Sequence, residues 1–125
     1  LPRQIALARG IREAGARARL HICGQTRQLW NGFAQLPVDI IDADHMVDFK
    51  GLRGAVGPKV VLVGNVDPVS VVRFGDPAAI RAKLLEARDA AGSPWMASAG
   101  CEVPAGTPAE NMRALCEPMP VTDPQ

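Results

Sequence analysis

The chain has 125 residues, 47% hydrophobic and 4% aromatic, with 14 basic against 13 acidic side chains, which suits one core and one domain. Interspersed charges of near-zero sum and few aromatics exclude a nucleic-acid surface, and no apolar run is long enough to span a bilayer. Three cysteines without dense spacing argue for reduced thiols rather than a disulfide framework; with no signal-peptide pattern at the start, the chain reads as cytoplasmic.

The first residues, Leu1-Pro2-Arg3, lack an initiator methionine and lie inside a predicted helix, so the chain reads as a piece of a longer polypeptide or a processed product. Ile5, Ala8 and Ile11 recur at helical spacing over residues 2–14, and Gly15 stops the helix. A short apolar run over 18–23 is the first strand. Leu29, Trp30, Phe33 and Leu36 return to helical spacing before Pro37 breaks it. Residues 38–44 form a second strand ending in Asp42 and Asp44, and 47–56 a short helix weakened by Gly51 and Gly54, with Asp48 a solvated residue of its first turn.

The run over 59–65 is branched and continuous, which predicts a strand buried on both faces. A loop over 66–75 leads to the strongest helix: Asp76 caps it, Pro77 fits its first turn, Ile80, Leu84, Ala87 and Ala91 form one stripe, and Gly92 ends it. Residues 94–99 make a fourth strand and 100–106 a loop. Thr107-Pro108-Ala109-Glu110 has the pattern of a capping box opening a helix through Cys116, a thiol that fits a packed core. Pro118 and Pro120 end that helix, and residues 118–125 are a frayed tail.

The order is a helix (1–15), four strand-helix units (18–117) and the tail, all within one partial domain over 1–125. Alternation of this kind means parallel strands covered by helices, an α/β class. Four units make either a small open sheet or half of a (β/α)8 TIM barrel, whose full length is about 250 residues. His21 and Cys23, Asp42 and Asp44, Asn65 and Asp67, and Cys101 and Glu102 all fall at or just past strand C-terminal ends. Barrel enzymes build their sites on that rim, and a barrel curves these ends toward one centre, so the half barrel is favoured.

His21 and Cys23 are two apart and share a face of an extended strand. With Cys101 they offer one nitrogen and two sulfurs, a set that suits zinc and leaves a coordination position open, as catalytic sites do. Taken singly, the same residues also fit a buried thiol and a hydrogen-bonded histidine.

His21-Ile22-Cys23-Gly24, Asp39-Ile40-Ile41-Asp42-Ala43-Asp44, Gly64-Asn65-Val66-Asp67-Pro68, Gly100-Cys101-Glu102-Val103-Pro104 and Thr107-Pro108-Ala109-Glu110-Asn111 together resemble the C-terminal half of the uroporphyrinogen decarboxylase superfamily. The H-x-C pair with a distant Cys resembles its cobalamin-dependent methyltransferase branch, where decarboxylases usually read glycine-histidine-glycine at the last site. That resemblance implies an enzyme that moves a methyl group between a corrinoid and a thiol such as coenzyme M, with zinc on His21, Cys23 and Cys101. It implies Asp44 as fourth ligand in place of an expected glutamate, with His45 able to substitute. Asp42 and Asp44 also suit a helix N-terminal cap or a rim salt bridge. Asn65, Asp67 and Glu102 stand as substrate-binding candidates on the rim, although Asn65 and Asp67 also suit purely local loop bonding.

The partners implied are a corrinoid protein or free methylcobalamin, a small thiol, and either the N-terminal half of the barrel or a second copy of the chain, since four strands cannot close a barrel. Two alternatives remain: a metal-free uroporphyrinogen decarboxylase acting on tetrapyrrole acetate groups, and a non-catalytic half-barrel assembly module.

Overall fold

A computed structural model describes residues 1–119. Helix α1 (Pro2–Glu13) starts with proline in its first turn and buries only Ala8. Then β1 (Arg19–Ile22) leads through a 3-10 turn (Arg27–Leu29) into the single turn of α2 (Trp30–Phe33). β2 (Ile40–Ala43) precedes α3 (Phe49–Val56). β3 (Val61–Val63) is followed by a widened π-helical turn (Pro68–Arg73) and by α4 (Pro77–Ala91). β4 (Trp95–Met96) and α5 (Ala109–Cys116) complete the described chain. No helix among these residues is long and apolar enough to cross a membrane.

The four strands pair in chain order, β1-β2-β3-β4, and every pairing is parallel. The expected α/β repeat of four strand-helix units is therefore what the chain adopts. Register decides which side chains meet. Leu20, Ile41, Leu62 and Trp95 are aligned across the sheet and pack under the helices with Phe33, Phe49, Leu52, Ala87 and Ala91. Because strand side chains alternate, the next aligned row, His21, Asp42, Val63 and Met96, projects from the opposite face. A second cluster joins Val66, Val72, Ile80 and Leu84 to Ala114 and Leu115, locking α4 to α5.

Several sequence expectations are corrected. The 66–75 segment is not a plain loop: Asp67 accepts from the Val69 and Ser70 amides, and Val72 and Phe74 donate five residues back, to Asp67 and Val69. The Asp-Pro opening that marks α4 is present here too, but the run of β-branched residues after it hid the turn. The capping box does not form, because the Thr107 hydroxyl donates to the Pro104 carbonyl at 2.7 Å and Pro108 holds the cap position. Asp48 is the cap of α3, accepting from Lys50, rather than a first-turn residue. Cys116 is exposed, not packed; Asn111, Ala114 and Leu115 form the buried stripe of α5, and one further residue rotates the thiol off it. The first strand is mostly exposed rather than covered. Of the predicted tail, Pro120 and the residues after it lie outside the described residues.

Opposite the strand C-termini, Arg53 ties the sheet to its helices. Its guanidinium donates to the carbonyls of Ala91, Gly57, Val60 and Pro94 at 2.7 to 2.9 Å, joining the ends of α3 and α4 to the starts of β3 and β4. Burial pulls its pKa down, and the carbonyl dipoles hold the charge in place. Arg53→Ala strands several acceptors at once, so a loss of about 3 kcal/mol is expected. A shifted urea midpoint at unchanged slope is the check.

Candidate metal centre

Residues Leu20 and Ile22 turn toward Phe33 and α2, which leaves His21 and Cys23 on the face away from the helices. The His21 Nδ1 atom lies 3.1 Å from the Asp42 carbonyl oxygen. A carbonyl only accepts, so Nδ1 carries the proton and Nε2 keeps a lone pair. Nε2 sits 3.3 Å from the Cys23 sulfur and 3.9 Å from that of Cys101. The two sulfurs are 3.6 Å apart. All three ligand atoms lie within 4.8 Å of one another, a spread that small rotations bring to a common centre with bonds of about 2.0 to 2.3 Å.

Cys101 follows β4, three strands away from β1, a separation of about 14 Å in a flat sheet. The chain crosses it by running over the strand ends. Ala99 bridges to Val66, the Gly100 amide donates to the Val66 carbonyl at 2.8 Å, and Gly100 then lies directly on the Asp44–His45 backbone. A Cβ at Gly100 would stand 2.3 Å from the His45 nitrogen. Only glycine permits that approach, and the approach delivers Cys101 to Cys23.

Asp44 stands behind this trio. It is 5% exposed; one carboxylate oxygen accepts from Gly24 at 2.8 Å and the other from Met46 at 3.0 Å, with His45 Nδ1 3.0 Å from that second oxygen. It thereby fastens the residue that follows Cys23. His45 reaches back toward Asp67 at 3.8 Å. Asn65 donates to the Asp44 and Val47 carbonyls, and Asp67 caps its turn, bonding Ser70 Oγ at 2.7 Å. Glu102 is exposed beside Cys101. The structure thus gathers His21, Cys23 and Cys101, while Asp44, His45, Asn65 and Asp67 build the shell around them. Gly100 is the site residue that sequence reasoning did not single out. A glycine before the cysteine was its only signal.

Charge follows from this packing. The hydrogen bond to Cys101 and the nearness of that thiol raise the pKa of Cys23, with burial and the Asp44 carboxylate adding to the effect. The Cys23 thiol therefore favours its proton until a cation displaces it. Burial works to raise the pKa of Asp44, but the Gly24 and Met46 amides and the two histidines bring it below its ordinary value. Asp39 is lowered chiefly by the Ala18 amide. For Asp67, burial again opposes, and Ser70 and Val69 win.

Carboxylates with depressed folded-state pKa values contribute stability above the unfolded value and lose it as pH falls through the folded one. The urea midpoint is expected to hold above about pH 5 and to decline below about pH 4, and Asp44→Asn should flatten that decline.

Comparison with known proteins places this geometry in context. Residues 1–119 match the family model described as uroporphyrinogen decarboxylase (URO-D). The methylcobamide:CoM methyltransferase MtbA of Methanosarcina mazei is 32% identical over 120 residues, covering 94% of this chain and 34% of that protein. The uroporphyrinogen decarboxylase of Gloeobacter violaceus is 33% identical over 81 residues, 64% of this chain and 23% of that protein. A solved methyltransferase from Methanosarcina mazei superposes with a TM-score of 0.74 at 24% identity, over 87% of this chain and 32% of that one. In fold the chain matches part of a TIM barrel, and it spans about a third of the length of the methyltransferase relative it matches.

Proposed function

The chain belongs to the uroporphyrinogen decarboxylase family, and from that premise we propose that it is the metal-bearing part of a zinc-dependent methyltransferase moving a methyl group between a corrinoid and a small thiol such as coenzyme M. The observation that carries this is the convergence of His21 Nε2, Cys23 Sγ and Cys101 Sγ within 4.8 Å. Two sulfurs and one imidazole form a borderline-soft donor set matched to zinc. Three protein donors leave room for a fourth group.

Zinc, when bound, supplies a thiol substrate that stays ionised near neutral pH. The chain's own residues do the rest. Cys23 and Cys101, once deprotonated, offset the charge of the cation, so a substrate sulfur keeps its electron density. His21 presents Nε2 because its Nδ1–H is held by Asp42. Asp44 serves as a displaceable fourth ligand: each of its oxygens retains acceptor capacity beside the amides it already binds. His45, next to it, is the substitute donor. In the transfer itself the substrate sulfur bonds the methyl carbon as the cobalt–carbon bond breaks, the electron pair remaining with the corrinoid. The methyl donor is a corrinoid protein or free methylcobalamin, and the bare edges of β1 and β4 are covered by the rest of a barrel or by a second copy.

Asn65, Asp67 and Glu102 are the substrate-binding candidates, with Glu102 the most open to a ligand. Tetrapyrrole decarboxylation is the second reading, favoured by the decarboxylase relatives that match over 81 residues. Elemental analysis of the purified chain separates the two: one zinc per chain is expected for the transferase, and a zinc-free chain that binds a porphyrinogen would replace it with the decarboxylase.

A further inference from the structure

Asp42 stands directly across from His21 in the β1–β2 register, and its carboxylate faces the same way as the imidazole. Besides the carbonyl contact, Asp42 Oδ2 lies 3.4 Å from His21 Nδ1. The same carboxylate is gripped by the Arg19 guanidinium, and Arg19 is two residues before His21 on β1, on that same face. The Asp42 side chain is 12% exposed, the Arg19 side chain 54%. Barrel interiors are ordinarily filled by branched apolar side chains at such positions, so a charged pair here asks for a function.

We infer that Asp42, steadied by Arg19, is the positioning residue for His21, an inference that rests on the zinc proposal above. An anion behind Nδ1–H does two things. It restricts the ring so that Nε2 faces the two sulfurs, and it makes Nε2 a stronger donor toward a cation. Arg19 fixes the carboxylate in that orientation and keeps it from swinging toward the cation as a ligand in its own right. The Asp42 carbonyl is held by the sheet whatever residue stands at 42, so a side-chain variant isolates the carboxylate.

The test is a double-mutant cycle read by zinc affinity in competition with a chromophoric chelator. Asp42→Ala is expected to weaken zinc binding about tenfold to a hundredfold, and to have no effect in a His21→Ala background. An equal loss in both backgrounds would mean that Asp42 serves the sheet and not the histidine, and would overturn the inference, as would unchanged affinity. Asp42→Asn, closer in shape, replaces it if the alanine variant does not fold. If the wild-type chain takes up no zinc, the metal proposal fails while the positioning role is still decided by NMR relaxation of the His21 ring in the metal-free chain. A ring that becomes mobile in Asp42→Ala supports the role. Unchanged ring mobility overturns it.

Discussion

On the proposed function, Cys101→Ala is expected to abolish stoichiometric zinc uptake and the methyl transfer proposed to depend on it. A bound structural zinc contributes on the order of 10 kcal/mol or more, so the loss of one donor among a few costs about 3 kcal/mol, or roughly a hundredfold in affinity. The fold should hardly notice. Cys101 is partly exposed on a loop, and a thiol-to-methyl change there falls within about 1 kcal/mol. Unfolding midpoint and zinc content are therefore expected to part company, the first nearly constant and the second near zero. Cys116→Ala is the matched control, since that exposed thiol lies outside the cluster and its loss should leave the zinc content at the wild-type value. Full zinc occupancy in Cys101→Ala would refute the proposed ligand set.

Gly100→Ala should come close to the same result without touching a ligand. The added Cβ would meet the His45 nitrogen at 2.3 Å and the Asp44 carbonyl carbon at 2.9 Å, and main-chain atoms cannot rotate aside. The crossing loop has to lift, and Cys101 rises with it. Metal sites tolerate ligand displacements of only a few tenths of an ångström, so affinity is expected to fall about tenfold to a hundredfold. The strain and lost packing cost about 1 to 3 kcal/mol. Gly10→Ala offers the opposite sign: space around that Cβ is open on a helix, and a gain of about 0.5 to 1 kcal/mol is expected. Chelator competition on Gly100→Ala and urea unfolding on both variants give all three numbers.

Much of the fold was legible because periodicity and punctuation agreed. The α4 stripe Ile80, Leu84, Ala87, Ala91 is buried in full, bounded by Asp76 and Gly92 as the caps predict. The four strands fell near their predicted places, although β3 and β4 are shorter than the apolar runs containing them, since apolar sequence continues past the last ladder bond. Local rivalry between hydrogen bonds was illegible: nothing in Thr107-Pro108-Ala109-Glu110 tells whether the hydroxyl bonds forward to a helix or back to Pro104.

At the site, H-x-C on one strand end and a far cysteine were visible as donors. Their meeting was expected from the barrel's curvature and the family resemblance; its route was not, because it depends on how the segment from Ala97 to Gly100 crosses two neighbouring strands. The partner of His21 was equally hidden. Asp42 is 21 positions away, and only the β1–β2 register brings the two side by side. Asp44 was visible as a carboxylate on the rim, but its burial and its grip on the Gly24 amide arise from loop packing that no spacing rule encodes.

The gap of 78 positions between the two clustered sulfurs also orders events in the life of the molecule. A growing polypeptide presents His21 and Cys23 to the cell long before Cys101 has been translated, and two donors grip a cation weakly. In the proposed zinc site, loading therefore waits until the segment after β4 has settled on Asp44 and His45, so that metal capture would follow the folding of this part rather than nucleate it.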